Sequence, residues 1–182
     1  TLTDSWDVST AAYQQTFFVG SQANNPQGVF FKPDGLKMYA VSDVDDDVSE
    51  YDLSTAWDVT TAVYLQSFSI VTQESNSQGL FFKPDGLKMY VLGYTEDDVK
   101  EYDLSTAWDI STATYGRDFS VISNAQNPTD VFFKPDGLKM YVTSNTSGDV
   151  NEYNLSTAWD VTTAVYSQNL SVSAQAGDPT SV

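Results

Sequence analysis

Phe30-Phe31-Lys32-Pro33-Asp34-Gly35-Leu36-Lys37-Met38-Tyr39 returns without a change from Phe81 and again from Phe132, a period of 51 residues. A Trp-Asp pair keeps the same period at Trp6, Trp57, Trp108 and Trp159. Self-similarity at this spacing points to propeller blades, solenoids or arrays, in which each unit buries its apolar face against the next. Inside the stretch, Pro33 presets φ and Gly35 accepts a positive φ, so Pro33-Asp34-Gly35 is a turn between two short runs. Phe30-Phe31 and Met38-Tyr39 on either side have strand composition.

Working outward, each repeat divides into four strand-like segments. In the first they are residues 28–32, 36–42 and 48–53, followed across Ser54-Thr55-Ala56-Trp57-Asp58 by a β-branched and aromatic run. A half-repeat precedes them, with Ala12 to Val19 as an orphan copy of the fourth strand. The Ser-Thr-Ala-Trp-Asp linkers have room for one helical turn, and no longer segment has helical periodicity. Connections this short require antiparallel neighbours. The expected architecture is all-β: a β-propeller segment of four-stranded antiparallel meander blades. Its units are 1–27 (orphan outer strand and loop), 28–78, 79–129 and 130–180.

Phe-Phe-Lys-Pro-Asp-Gly-Leu-Lys-Met-Tyr-Val followed by Glu-Tyr-Asp-Leu resembles the F-x-P-D-G-x-x-x-Y-V blades of YVTN-like propellers. The near-identical copies carrying Tyr-Asp-Leu-Ser-Thr-Ala-Trp-Asp resemble tandem repeats of marine bacterial and phage surface proteins. The Trp-Asp pair does not imply a WD40 blade, which also carries Gly-His; this chain has no His. Propellers typically close with 4–8 blades. The resemblance therefore implies partner blades, from the same longer chain or from identical chains. It also implies an extracellular, cell-surface or virion location.

Composition narrows the partners. The 182 residues carry 25 acidic and 8 basic side chains, a net charge of −17 that repels nucleic acid and anionic lipid. No apolar run reaches the length of about 18 residues that a membrane span needs. No secretory or transit segment is visible in a chain that opens in mid-pattern at Thr1. With neither Cys nor His, disulfides, thiolate metal sites and histidine catalysis are absent.

In a meander, the turns after the first and third strands lie at one end, and the other turns at the opposite end. Pro-Asp-Gly and Trp-Asp mark an invariant end. The opposite loops vary, as Asp43 to Asp47, Gly93 to Asp98 and Asn145 to Gly148 show. A ligand is expected on the variable face, with a protein or glycan as partner and Asp43, Asp45, Asp46, Tyr94, Glu96 and Asn145 as contacts. Drift after duplication accounts for the same pattern.

Asp43, Asp45 and Asp47 begin like a calcium loop but lack its later Gly and Glu, so calcium competes with a solvated hairpin tip; no other cofactor is expected. The regularly spaced Tyr13, Tyr39 and Tyr51 and their counterparts read as inter-blade core. The inner-strand residues facing the channel read as apolar. No catalytic constellation is visible, and the sequence reading is a non-catalytic structural or adhesive module. The alternatives are a hydrolase resembling calcium-dependent lactonases, or a self-assembling blade array.

Overall fold

A computed structural model describes residues 7–176 and 179–181. Its core is three four-stranded antiparallel sheets, each in simple chain order. The first contains β1 (Pro26–Phe31), β2 (Lys37–Ser42), β3 (Asp47–Leu53) and β4 (Ala62–Ser69). The second contains β5 (Ser77–Phe82), β6 (Lys88–Gly93), β7 (Asp98–Leu104) and β8 (Ala113–Ser120). The third contains β9 (Pro128–Phe133), β10 (Lys139–Ser144), β11 (Asp149–Leu155) and β12 (Ala164–Ser171). The meander blade with its 51-residue repeat is therefore the observed unit.

The invariant stretch folds as its residues dictate. Gly35 N–H donates to the Lys32 carbonyl at 2.7 Å, Leu36 N–H donates to Asp34 Oδ1 at 3.0 Å, and Gly35 adopts φ +73°. The other end of each blade locks onto this turn. Trp57 N–H donates to the Gly35 carbonyl at 2.9 Å, and a Cβ on Gly35 would stand 2.5 Å from the indole. Trp57, Trp108 and Trp159 hold φ of +64°, +66° and +67°, a conformation bulky residues avoid, which this interlock sustains. The next residue then caps a short 3-10 turn: Asp109 Oδ1 accepts from Ser111 N–H at 3.0 Å and the turn runs Ile110–Thr112.

Alternation along β2 and β6 buries both faces of the middle sheet. Tyr39, Val41 and Val48 of the first sheet pack against Phe82, Met89 and Val91 of the second. Tyr90, Leu92 and Val99 do the same against Phe133, Met140 and Val142. Polar contacts repeat in register with this packing. Tyr39 O–H donates to the Trp108 carbonyl at 2.7 Å, and Tyr90 O–H to that of Trp159 at 2.8 Å. Buried Glu50 accepts from Lys37 Nζ at 2.5 Å, Gln66 Nε2 at 2.9 Å and Ile110 N–H at 3.3 Å, so its charge is compensated.

Two expectations need correction. Residues 12–19 form no strand, because an outer strand needs the third strand of its own sheet and none is beside them among the described residues. They nevertheless occupy an outer strand's place against the first sheet. Gln15 Nε2 donates to Asp58 Oδ1 at 2.7 Å, as Gln66 does to Asp109, and Phe17 meets Tyr51 edge-on at 5.7 Å. The Tyr13 series is not core either: Tyr13, Tyr64, Tyr115 and Tyr166 lie on the outermost segments and are 81%, 40%, 43% and 37% exposed. The Tyr39 and Tyr51 series hold the buried positions in the first two sheets.

Candidate active site

The first strands of the three sheets, β1, β5 and β9, run side by side at the inner edge. Phe30, Phe81 and Phe132 form an edge-to-face ladder there, with centroids 5.5 and 5.4 Å apart. At the end of the ladder toward the variable loops, glycine allows the strands to approach. A Cβ on Gly28 would stand 2.9 Å from the Gln78 carbonyl oxygen, and one on Gly79 would stand 3.0 Å from Asp130 Cα and Oδ1. The repeat position occupied by Gly28 and Gly79 is Asp130 in the third blade and Ser181 in the next half-repeat.

Asp130 thus brings a carboxylate to the inner edge, where the first two blades have glycine. Its Oδ1 accepts from Val131 N–H at 2.9 Å, and its Oδ2 from Ser181 Oγ at 3.0 Å. Thr129 Oγ1 donates to the Pro179 carbonyl at 2.8 Å, which seats residues 179–181 against β9. Gln27, Gly28, Val29, Leu80, Asp130, Thr180 and Ser181 enclose a cavity of about 150 Å³. A fixed carboxylate, a hydroxyl and an amide around one cavity suit a polar uncharged ligand and a general base. A larger groove of about 400 Å³ between residues 15–19 and β1–β2 is lined by Met38, Ala40, Phe17 and Val59. Its Met38 and Ala40 correspond to Met89 and Val91, which elsewhere meet a preceding sheet, so the groove is a packing surface without chemistry.

The residues singled out from sequence occupy the same face, farther from the inner edge. Asp43 accepts from Asn25 Nδ2 at 2.9 Å and from Gln27 Nε2 at 2.8 Å. Asp45 Oδ2 accepts from Asn24 N–H at 2.6 Å, tying one variable loop to its neighbour. Asp46 takes φ +50° at the turn, where the third blade has Gly148. Burial raises the Asp47 carboxyl, and also raises that of Asp46 with help from Asp43 and Asp45. Tyr94 is half-buried with its N–H on the Asn76 carbonyl, Glu96 is exposed, and Asn145 Oδ1 accepts from Thr146 Oγ1 at 3.4 Å. Among the described residues no three acidic side chains converge as a metal would need. The cavity offers one carboxylate, a donor set that does not fit a calcium cage.

Sequence reasoning missed Asp130, Ser181 and the partner of Arg117. The signal available was departure from the repeat at a fixed position. Arg117 stands where the other blades have Gln15, Gln66 and Gln168, and its Nη1 reaches Asp160 Oδ2 at 2.8 Å as Gln66 reaches Asp109.

No protein-family model matches the chain, and no curated protein matches it by sequence. Solved structures do match. A Bacteroides fragilis protein provisionally named a 6-phosphogluconolactonase aligns with a TM-score of 0.58 at 15% identity, over 81% of this chain and 39% of that one. The periplasmic gluconolactonase PpgL of Pseudomonas aeruginosa aligns at 0.55 and 16% identity, over 80% and 38%. The β-propeller domain of Cps50 (Swd1) from Myceliophteria thermophila aligns at 0.54 and 12% identity, over 81% and 43%. The fold is a β-propeller segment. It spans about two fifths of the length of these structures. The expectation of a non-catalytic structural or adhesive module is corrected by this comparison, because structures named as lactonases stand among its neighbours. Among the described residues no helix is long and apolar enough to cross a membrane.

Proposed function

We propose that this chain is part of a β-propeller hydrolase that opens a sugar lactone at the inner-edge cavity. The observation carrying the reading is Asp130, a carboxylate fixed in the cavity at the loop-side end of the inner strands, in a fold whose neighbours include structures named as lactonases. Asp130 takes a proton from water as the water oxygen attacks the lactone carbonyl carbon. The acyl–oxygen bond then breaks and the departing ring oxygen receives that proton, giving the hydroxy acid. Ser181 and Val131 hold the carboxylate in place, while Gln27 and Thr180 stand where sugar hydroxyls would lie. General-base help of this kind contributes roughly 10²–10⁴-fold.

The cavity lining contains no Lys or Arg, and the chain carries −17, so a neutral lactone is favoured over a phosphorylated one. Further blades complete the ring. Tyr141, Glu152 and Gln168 on the outward face of the third sheet border an open cavity of about 280 Å³. Their counterparts Tyr39, Glu50 and Gln66 hold the next blade's Trp-Asp turn. The periplasmic neighbour supports a location outside the cytoplasm.

The test is glucono-1,5-lactone hydrolysis in a pH-stat, with the 6-phosphate as competitor. Hydrolysis above the buffer rate is expected, with the neutral lactone preferred. Asp130→Asn should lower kcat about 100-fold or more with melting unchanged. No turnover above buffer, or an unaffected Asp130→Asn, would overturn the reading.

A further inference from the structure

The second blade departs from the other two at three buried positions that face one another. Where Ala23 and Ala125 are buried, it has Glu74; for Ser42 and Ser144 it has Gly93; for Ser49 and Asn151 it has Lys100. In the first and third blades the serine hydroxyl donates to a loop carbonyl, Ser42 to Asn24 and Ser144 to Gln126. In the second, Gly93 vacates that space and the Glu74 carboxyl enters it. A Cβ on Gly93 would stand 1.9 Å from Glu74 Oε2 and 3.2 Å from Asp98 Oδ1.

The remaining oxygens of the two carboxyls are engaged. Glu74 Oε1 accepts from Ser75 N–H at 3.1 Å and Asn76 N–H at 3.0 Å, and Asp98 Oδ2 accepts from Lys100 Nζ at 2.7 Å. Glu74 Oε2 and Asp98 Oδ1, flanking the same point, have no hydrogen-bond partner. Glu74 is 2% exposed, Asp98 6% and Lys100 5%. Lys100 is ion-paired with Asp98, and Glu74 beside them leaves a buried excess negative charge. Two unpartnered acceptor oxygens also flank the same buried point, an arrangement that is unfavourable unless one of them carries a proton.

We propose that Glu74 and Asp98 bind one proton between them, making the second blade a proton-binding site that the other blades lack. The proton joins Oε2 of Glu74 to Oδ1 of Asp98 and pins the loop carrying residues 70–76 to the start of β7. The charged and titratable groups facing the pair are Lys100, which favours ionisation, Asp118 and Glu96, which oppose it at Asp98, the Tyr102 phenol, which interacts with both carboxyls, and the Tyr115 phenol, which interacts with Asp98. Burial is the leading influence on both carboxyls and pushes both up. The pair titrates as a unit. Because the folded chain holds the proton more tightly than the unfolded chain, stability is complete below the ordinary carboxylate range. It declines as pH rises through the folded value, tenfold in the folding constant per pH unit across that window.

The test is urea unfolding of the whole chain between pH 4 and pH 9, with side-chain carboxyl ¹³C shifts followed by NMR. Wild type should lose stability with a one-proton slope above the ordinary carboxylate range. Glu74→Gln, whose amide can donate to Asp98 permanently, should flatten that slope. Glu74→Ala combined with Gly93→Ser, which restores the pattern of the other blades, should flatten it too and covers the case in which Glu74→Gln fails to fold. Parallel wild-type and double-variant curves, or two carboxyls titrating independently in the ordinary range, would overturn the proposal. So would a loss of stability at pH 8 that potassium or calcium restores at fixed ionic strength in wild type alone, since the occupant would then be a metal ion.

Discussion

Replacing Gly35 and Gly86 by alanine, one at a time, isolates the Trp–Gly interlock, because the same substitution meets the same indole in two degrees of confinement. Both glycines hold positive φ, +73° and +75°. Alanine in that conformation costs about 1–2 kcal/mol, offset by roughly 0.4–1 kcal/mol from a stiffer unfolded chain. That backbone cost is common to both variants. The added Cβ would stand 2.5 Å from Trp57 in one case and 2.4 Å from Trp108 in the other, so the ring must move in each. Trp57 is 57% exposed and has open solvent on one side. Trp108 is 8% exposed, stacks on Phe82 at 5.7 Å and Phe30 at 6.3 Å, and its carbonyl receives the Tyr39 hydroxyl. Overpacking there costs about 1–3 kcal/mol. Gly35→Ala should therefore lose about 1 kcal/mol and Gly86→Ala about 2–4 kcal/mol, read from urea midpoints by circular dichroism at constant m. Gly137→Ala, over the equally buried Trp159, should match Gly86→Ala. Equal losses for Gly35→Ala and Gly86→Ala would show that backbone strain alone sets the cost and that the indole does not lock the blade.

Gly93→Ser alone should destabilise by about 2 kcal/mol or more through its clash with Glu74, and adding Glu74→Ala should recover most of the loss, a non-additivity measurable in a double-mutant cycle. Asp109→Ala should cost about 1 kcal/mol by uncapping its 3-10 turn. The Ser111 hydroxyl, then Gln66, holds the Asp109 carboxyl below the ordinary range, so its contribution is present above the unfolded carboxylate value and lost as pH falls through the folded one; Asp109→Asn should flatten that acid limb in pH-dependent melts. Arg117→Gln should stay within about 0.5 kcal/mol of wild type, because its ion pair with Asp160 is partly exposed and the glutamine of the preceding blade, Gln66, reaches both the capping Asp109 and buried Glu50, the counterparts of the Asp160 and Glu101 that Arg117 touches. Melting in low and high salt would reveal a larger role as a loss of salt dependence.

Much of the fold was legible because the residues that decide it act locally. Pro33 and Gly35 specify a turn whatever surrounds them, and alternation along Met38-Tyr39-Ala40-Val41 assigns opposite faces to neighbouring sheets. The orphan segment was legible in composition but not in hydrogen bonding, since a strand exists only with a partner and residues 12–19 pair with none among the described residues. The Tyr13 series misled because an aromatic at a regular position reports the repeat, not the depth at which an outermost strand lies. The candidate site was less legible. Asp130 and Glu74 fall at or near variable loops, where divergence reads as tolerance. Only the fold brings Glu74 into the space that Gly93 leaves, and makes neighbours of Asp130 and Ser181 across about fifty residues of chain.

The two departures share a steric rule. Asp130 Oδ1 lies 3.0 Å from where a Cβ of Gly79 would stand, and Glu74 Oε2 lies 1.9 Å from the corresponding point on Gly93. In each case a carboxyl enters the repeated frame where a facing strand carries no side chain, so the neighbouring backbone need not move. What differs is access to water. Asp130 borders a cavity beside Thr180 and Ser181, and solvent or a substrate can reach it, which suits transient proton transfer. Glu74 is sealed among backbone N–H groups beside Asp98, Lys100 and Tyr102, which suits holding a proton. A glycine opposite a carboxyl is thus the local requirement for both, and burial decides which chemistry the carboxyl can perform.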